Sequence, residues 1–154
     1  MEDLLIFRNP VLWIALGIWA LAQILKPFIH YLRNRYWDWA LLLRAGGMPS
    51  SHAALVASTA HGVGLFYGFD TPLYAVAVTL AVIVIYDATG VRRQAGVHAE
   101  RINEIIKSLA SGHPRWRETQ EQLKEVLGHT PMEAMAGTII GIVLTHMIWY
   151  FSFY

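Results

Sequence analysis

Four apolar stretches alternate with polar segments along the chain, and each has nearly the length of a membrane-spanning helix. They cover residues 10–29, 51–69, 72–90 and 131–153. About 20 apolar residues in a helix cross the hydrocarbon core of a bilayer, with roughly 17–25 tolerated. The second and fourth stretches carry polar interruptions, so we expect them to face protein rather than lipid. The pattern predicts an all-α, integral-membrane bundle of about four transmembrane helices.

Each predicted helix begins with a recognisable capping signal. A small polar residue before proline favours a helix start, because its side chain caps free N–H groups and proline suits the first turn. Three such pairs begin the first, third and fourth helices: Asn9-Pro10, Thr71-Pro72 and Thr130-Pro131. Ser50 or Ser51 takes this role for the second helix. These signals predict one membrane domain over residues 1–154.

The loop between the third and fourth helices has the period of amphipathic helices. Its apolar residues recur on one helical face at Ile102, Ile105, Ile106 and Leu109. A similar apolar stripe follows over 116–127. We therefore expect two short amphipathic helices in this third loop, as an insert over 98–127. They would lie on the membrane surface or fold over a site.

Composition agrees with a membrane protein and excludes some chemistry. The 154 residues are 55% hydrophobic and 15% charged, and the mean hydropathy is +0.39, which is too apolar for an ordinary soluble domain. The chain has no cysteine, so disulfides and thiolate chemistry are excluded. The net charge of +1 gives no general attraction to nucleic acid, and no such partner is expected.

Basic residues are concentrated on one predicted side of the membrane. Of the 12 Lys and Arg residues, only Arg8 falls on the side opposite the two long loops. Positively charged loops stay in the cytoplasm. We therefore expect a multi-pass protein of the cell inner membrane with both long loops in the cytoplasm. Four short spans enclose little volume, which favours a homodimer.

Polar and ionisable residues at the cytoplasmic helix ends form the candidate site, because such groups are costly at membrane depth. A four-helix bundle would gather them in one patch, where two helices begin and present free N–H groups to an anion. The members are Lys26, Arg33, Ser50, Ser51, His52, Asp87, Arg92, Arg93, His129 and Glu133. Basic side chains favour phosphate, and histidines can move protons. The patch therefore predicts phosphate binding with proton transfer.

Several of these residues also have a purely structural interpretation. Lys26 and Arg33 could be snorkelling anchors at the membrane surface, and Ser51 could serve only as a helix cap. Thr130 and Glu133 form a T-x-x-E capping box, which would engage the carboxylate by itself. The sequence leaves these alternatives open.

Asp87 has two further interpretations. It could pair with Arg92 or Arg93, or it could hold a divalent metal together with other side chains. The candidate metal partners are His98, Glu100 and Glu133. Their spacing is not diagnostic of a metal site, so we expect neither a metal nor another cofactor.

Two features lie deeper in the predicted spans. His61 and His146 are expected to hydrogen-bond across helices. Gly137-x3-Gly141 permits close approach of a second helix, either in the core of the bundle or in a dimer.

Three segments, taken with the spacing Lys26-x6-Arg33, resemble a known family of membrane phosphatases. They are GGMPSSHAAL (46–55), VIYDATGVRRQAG (84–96) and LGHTPMEAMAG (127–137), and they follow in order over most of the chain. Together they are similar to the type-2 phosphatidic acid phosphatase family, which is related to acid phosphatases and vanadium haloperoxidases. The likeness is to its small divergent branch in bacteria and plants.

The resemblance implies a lipid phosphatase that forms a phosphohistidine and needs no metal. His129 matches the nucleophile, His52 the general acid, and Glu133 the carboxylate that orients the nucleophile. The implied phosphate-binding residues are Lys26, Arg33, Ser50 and Ser51. The expected substrates are lipid phosphates such as phosphatidic acid, phosphatidylglycerol phosphate or a polyprenyl phosphate.

The chain also departs from the family pattern. Three of the departures are Asn34 for proline, Ser51 for glycine and Glu133 for aspartate. In the third motif Leu123 stands where the family has arginine, and only the neighbouring Lys124 is basic. We infer that Arg92 or Arg93 supplies the missing guanidinium.

An alternative function follows from that weakened third motif. A non-catalytic membrane protein that binds or transports lipid phosphates would need only basic groups and backbone donors. The retained pair of histidines favours the phosphatase, because anion binding alone does not require it.

Overall fold

Five α-helices and one short 3-10 turn form the part of the chain that the structure describes. The structure is a computed structural model that describes residues 7–44, 46–110 and 128–153, with the backbone alone for 108–110. The helices are α1 (Pro10–Asn34), α2 (Ser51–Tyr67), α3 (Pro72–Thr89), α4 (Val91–Ala110) and α5 (Pro131–Phe153), and the turn covers Trp39–Leu42. Within those residues there is no strand, and the predicted all-α membrane bundle is confirmed.

Helix α2 is the central element of the bundle. It packs against α1, α3 and α5, and its buried positions are mostly small residues, among them Ala53, Ala54, Ala57 and Gly62. Without large side chains in the way, three neighbouring helices can approach its backbone. The result is a bundle whose core is built mainly from alanine and glycine.

Three stretches of the described chain are long and apolar enough to cross a membrane: Pro10–Asn34, Pro72–Lys107 and Pro131–Phe153. The central α2 has 17 residues, which at about 1.5 Å per residue gives roughly 25 Å. Apolar side chains on the outer faces of α3 and α5 are exposed, such as Val76, Ile83 and Ile139. Large exposed apolar faces of this kind suit contact with lipid.

Helix α1 runs through Pro27 and ends at Asn34, five residues beyond the predicted end of the first span. Arg35 closes the helix in the left-handed region, with φ 62°, and its N–H donates to the carbonyl of Tyr31 at 2.8 Å. Proline lacks only one helical hydrogen bond, which surrounding packing can offset. Lys26 and Arg33 therefore belong to one helix.

Helix α4 begins at Val91, directly after Gly90, and so starts earlier than the predicted insert over 98–127. It packs on α3 and buries Ala99 and Asn103, while Ile102 and Ile105 are exposed. The second predicted amphipathic helix and Lys124 lie outside the described residues.

Polar contacts also join α2 to α5 within the apolar region. The hydroxyls of Ser58 and Thr145 are 2.6 Å apart, and both residues are buried. His61 Nε2 lies 3.3 Å from His146 Nδ1, which confirms the predicted hydrogen bond across helices. These contacts satisfy polar groups that would otherwise be costly in lipid.

Candidate active site

Two backbone hydrogen bonds bring three helix ends together. The N–H of Ser50, at the N-cap of α2, donates to the carbonyl of Glu133 in the first turn of α5 at 3.0 Å. The N–H of His129 donates to the carbonyl of Ala88, near the end of α3, at 2.9 Å. The Ser50 hydroxyl also accepts from the N–H of Ala53 at 3.3 Å, as a helix cap does. The predicted patch therefore has a fixed backbone frame.

Two glycines allow α5 to lie directly on α2 below this frame. A Cβ on Gly137 would overlap the carbonyl oxygen of Ser50, and one on Gly141 would lie 2.5 Å from the carbonyl oxygen of Ala54. Any side chain at either position would push the helices apart. The structure thus uses Gly137-x3-Gly141 inside the bundle.

The two candidate histidines lie side by side at this end of the bundle. The ring centroids of His52 and His129 are 6.5 Å apart. The His129 side chain is only 3% exposed, whereas His52, in the first turn of α2, is exposed. The pair therefore combines a buried, fixed ring with one that can exchange protons with solvent.

Glu133 engages His129 and caps its own helix with the same oxygen. Its Oε2 lies 3.2 Å from His129 Nδ1 and accepts from the N–H of Thr130 at 3.1 Å. The N–H of Glu133 donates in return to the Thr130 hydroxyl at 3.3 Å, which completes the capping box. The two interpretations of Glu133 that the sequence left open are therefore both present at once.

Two atoms at this site are buried without a hydrogen-bond partner among the described residues. They are His129 Nε2 and the Ser51 hydroxyl oxygen. Buried polar atoms are nearly always paired, because leaving one unpaired costs about 1–3 kcal/mol. Since Glu133 takes the Nδ1–H, Nε2 is left with a lone pair. Unpaired groups of this kind are suited to a ligand.

Lys26 and Arg33 lie on one side of a small cavity next to this pair. The Lys26 side chain is almost completely buried, at 2% exposure, and Arg33 is exposed. Both line a cavity of about 100 Å³, whose wall also includes Gly47, Met48 and Glu133. A lysine this deep is placed by packing rather than by snorkelling, which disfavours the interpretation of Lys26 as a simple anchor.

The two arginines near Asp87 have different contacts. Arg92 Nε donates to Asp87 Oδ2 at 2.6 Å, so of the two interpretations of Asp87 the ion pair is the one present. Arg92 also lies within electrostatic range of His52. Arg93 is exposed, and no contact between its side chain and the site is found within the described ranges. Nor do those ranges contain three clustered His, Asp or Glu side chains that could hold a metal.

Two residues of the cavity wall were not among the candidate site residues predicted from the sequence. His30 and Asn34 line the same cavity as Lys26 and Arg33, and Asn34 Nδ2 lies 3.0 Å from His30 Nδ1. The spacing of 26, 30, 33 and 34 puts all four on one helical face. The sequence contains this spacing, but the predicted helix ended near residue 29, so residues 30 and 34 fell outside it.

Comparisons with known proteins show which family the chain is similar to. A family model described as "Divergent PAP2 family" matches residues 7–144. The protein named "Uncharacterized membrane protein YuiD", from Bacillus subtilis (strain 168), is 43% identical over 138 residues, which cover 84% of this chain and 87% of that protein. No solved structure matches the chain.

Proposed function

The chain belongs to the divergent PAP2 family, and on that premise we propose that it is a membrane phosphatase for lipid phosphate monoesters. The observation that carries the proposal is the histidine pair. His129 is held at Nδ1 by Glu133, has a buried and unpartnered Nε2, and lies beside the exposed His52. A nucleophile, its orienting carboxylate and a nearby acid are the parts that covalent phosphoryl transfer needs.

In the first step His129 Nε2 attacks phosphorus and forms a P–N bond. The P–O bond to the lipid alcohol breaks, and its electron pair goes to the leaving oxygen. His52 donates a proton to that oxygen, so the lipid leaves as a neutral alcohol. The imidazole that carries the phosphoryl group becomes positively charged, and the Glu133 carboxylate stabilises it.

In the second step water attacks the phosphohistidine. His52, now neutral, accepts a proton from that water, the P–N bond breaks, and its electron pair returns to Nε2. Inorganic phosphate leaves, and both histidines regain their starting protonation states. The scheme needs no oxidant, reductant or second substrate.

Charge on the phosphoryl oxygens would be stabilised from several directions. The buried Lys26 and the exposed Arg33 belong to α1 and line the neighbouring cavity, and the first turn of α2 has the free N–H groups of a helix start. Arg92 lies near His52 and is the better placed of the two arginines proposed to replace the missing guanidinium. Fixed charges that meet developing negative charge are usually the largest single contribution to catalysis.

The substrate side of the proposal follows from the membrane setting. A site at the end of an apolar bundle is at the depth of lipid headgroups, and the excess of basic residues on that side supports a position on the cytoplasmic face. The shared chemistry of the candidate substrates is a phosphate ester on a lipid alcohol.

The first test is phosphate release by the purified protein from a panel of lipid phosphates, with and without EDTA. We expect release from at least one lipid and no loss in EDTA, because the scheme uses no metal. Loss of release in EDTA would contradict it and favour a metal-dependent hydrolase. A folded protein that binds phosphate but releases none from any lipid would favour the non-catalytic alternative.

Glu133→Gln tests the double role of this carboxylate. Glutamine at this position still completes a capping box, so we expect the free energy of unfolding to change by less than about 0.5 kcal/mol. Phosphate release should fall roughly 10²-fold or more, because a neutral amide stabilises the charged imidazole poorly. The matched control is Thr130→Ala, which weakens the cap and leaves the carboxylate beside His129.

The two variants should show opposite losses: Glu133→Gln loses activity, whereas Thr130→Ala loses stability. Thr130→Ala should lower thermal stability, with an effect of about 1 kcal/mol, and retain most of the phosphate release. Equal losses of stability and activity in both variants would mean that Glu133 acts only as a cap.

A further inference from the structure

A second pair of histidines lies toward the end of the bundle opposite the candidate active site. Helices α2 and α5 both begin at that site, and His61 and His146 come about two turns before their far ends at Tyr67 and Phe153. At about 1.5 Å per residue, each histidine is roughly 10 Å from the end of its helix. The proposed phosphatase mechanism uses neither residue.

The hydrogen bond between these two rings does not explain why both residues are histidines. Ionisable side chains are rare in membrane helices, because they are costly there, and they commonly mark a functional site. His61 is half-buried and His146 is exposed. A polar link between α2 and α5 needs only hydroxyls, since Ser58 and Thr145 provide one at 2.6 Å. The pair therefore calls for a role that imidazole in particular can fill.

The facing nitrogens of the pair have the spacing of two neighbouring ligands of a tetrahedral metal ion. His61 Nε2 and His146 Nδ1 are 3.3 Å apart. Zinc binds imidazole nitrogens at about 2.0–2.1 Å, which puts two corners of a tetrahedron about 3.3–3.4 Å apart. With the ring hydrogens on His61 Nδ1 and His146 Nε2, both facing nitrogens have a lone pair. The ion then replaces the shared hydrogen without release of a proton.

The surroundings hold the two rings in place before any ion binds. Thr145, which directly precedes His146, is buried and hydrogen-bonded to α2. Apolar rings border the pair: the centroid of Phe69 lies 6.0 Å from that of His61, and Trp149 lies 5.9 Å from His146. An apolar shell around metal ligands limits access of solvent and lowers the local dielectric constant.

We propose that His61 and His146 form a binding site for a divalent transition-metal ion of the zinc class. The two imidazoles supply two of the four tetrahedral positions, and water supplies the others. Imidazole suits zinc, whereas magnesium and calcium prefer oxygen ligands. The bound ion joins α2 to α5, the helices that also contribute His52 and His129, and so stabilises the folded bundle.

The test measures thermal unfolding of the purified protein in detergent with zinc chloride, and with magnesium chloride as the control ion. Calorimetry gives the dissociation constant for zinc and the number of ions bound. At a zinc concentration about 100 times that constant, we expect the unfolding midpoint to rise by about 5–10 °C. EDTA should reverse the rise, and magnesium should cause none.

Two variants separate the metal site from the hydrogen bond. His61→Gln and His146→Asn each put an amide near the ring nitrogen that they replace, so a bond between the helices can persist. Amides are poor ligands for zinc. Without metal, both variants should unfold near the midpoint of the unmodified protein. Each should bind zinc at least about tenfold more weakly, since even residues that only orient a metal ligand contribute about 10–100-fold.

Other histidines serve as controls for the position of the ion. His98→Ala removes an exposed histidine on α4, and His52→Ala removes one from the candidate active site; both should keep the full rise with zinc. No rise in the unmodified protein, or a rise that persists in both amide variants, would overturn the proposal. A rise lost only in His52→Ala would overturn it too, because the ion would then lie at the active site.

The outcome is independent of the proposed phosphatase. A rise with zinc that requires both His61 and His146 would retain the metal site even in a protein that releases no phosphate from any lipid. Conversely, phosphate release without a rise in zinc would retain the phosphatase and remove the metal site.

Discussion

Replacing His129 with alanine should reduce phosphate release from a lipid phosphate by at least about 10⁴-fold, because the variant has no nitrogen to attack phosphorus. The fold should survive the change. The N–H of residue 129 would still donate to the carbonyl of Ala88, and Glu133 would still cap α5 through Thr130. The measurement is phosphate release together with a thermal unfolding midpoint for each protein.

His52→Ala should have a smaller effect that depends on the leaving group. With a lipid alcohol, loss of the general acid should cost about 10²–10⁴-fold. With p-nitrophenyl phosphate the leaving oxygen is stable without a proton, so formation of the phosphohistidine should be nearly normal. This variant should then accumulate the phosphohistidine at His129, because the base for the second step is missing.

His98→Ala is the matched control, since it removes an exposed histidine far along α4. It should release phosphate at the rate of the unmodified protein. Retention of activity in His129→Ala, with the nucleophile removed, would contradict the covalent mechanism. If His52→Ala lowered the rate equally with the lipid phosphate and with p-nitrophenyl phosphate, the assignment of His52 as the general acid would be contradicted.

Much of the fold was predictable because helix starts are local features. Asn9 accepts from the N–H of Leu12 at 3.1 Å, and Thr71 accepts from the N–H of Tyr74 at 3.2 Å. Both bonds lie within one turn of the chain, so the residue types alone indicate them. The same holds for the capping box at Thr130, and together these signals gave the order of the helices.

The end of α1 was less predictable, because the effect of Pro27 depends on its surroundings. In a soluble helix a proline costs about 3 kcal/mol, whereas neighbouring helices and polar groups reduce that cost in a membrane bundle. Here Pro27 is buried and the helix continues to Asn34. As a consequence, the sequence alone identified Lys26 and Arg33 as candidate site residues, but not His30.

The shape of the site depended on contacts between distant parts of the chain. The sequence suggested one patch, and the structure adds that the cavity lined by Lys26 and Arg33 lies beside the histidine pair, with Glu133 in its wall and in contact with His129. Likewise, the sequence left open whether Arg92 or Arg93 pairs with Asp87, and in the structure it is Arg92. Such choices follow from how the helices rotate and cross, which the pattern of residue types does not determine.

The other large effect concerns the packing that creates the site, and Gly137→Ala tests it. The added Cβ would overlap the backbone carbonyl of Ser50, and a backbone atom cannot move aside as a flexible side chain can. Overpacking of this kind costs about 1–3 kcal/mol, so we expect a clearly lower midpoint of thermal unfolding.

Activity should fall even in the fraction of Gly137→Ala that stays folded. Moving α5 away from α2 would stretch the bond between the Ser50 N–H and the Glu133 carbonyl, and with it the separation of His52 and His129. A displacement of about 1 Å can cost roughly 10²-fold in rate. Gly17→Ala is the matched control, since a Cβ there would meet no atom within 4 Å; it should leave stability and phosphate release unchanged. If both alanine variants behaved alike, contact between α2 and α5 at Gly137 would not be what holds the two histidines together.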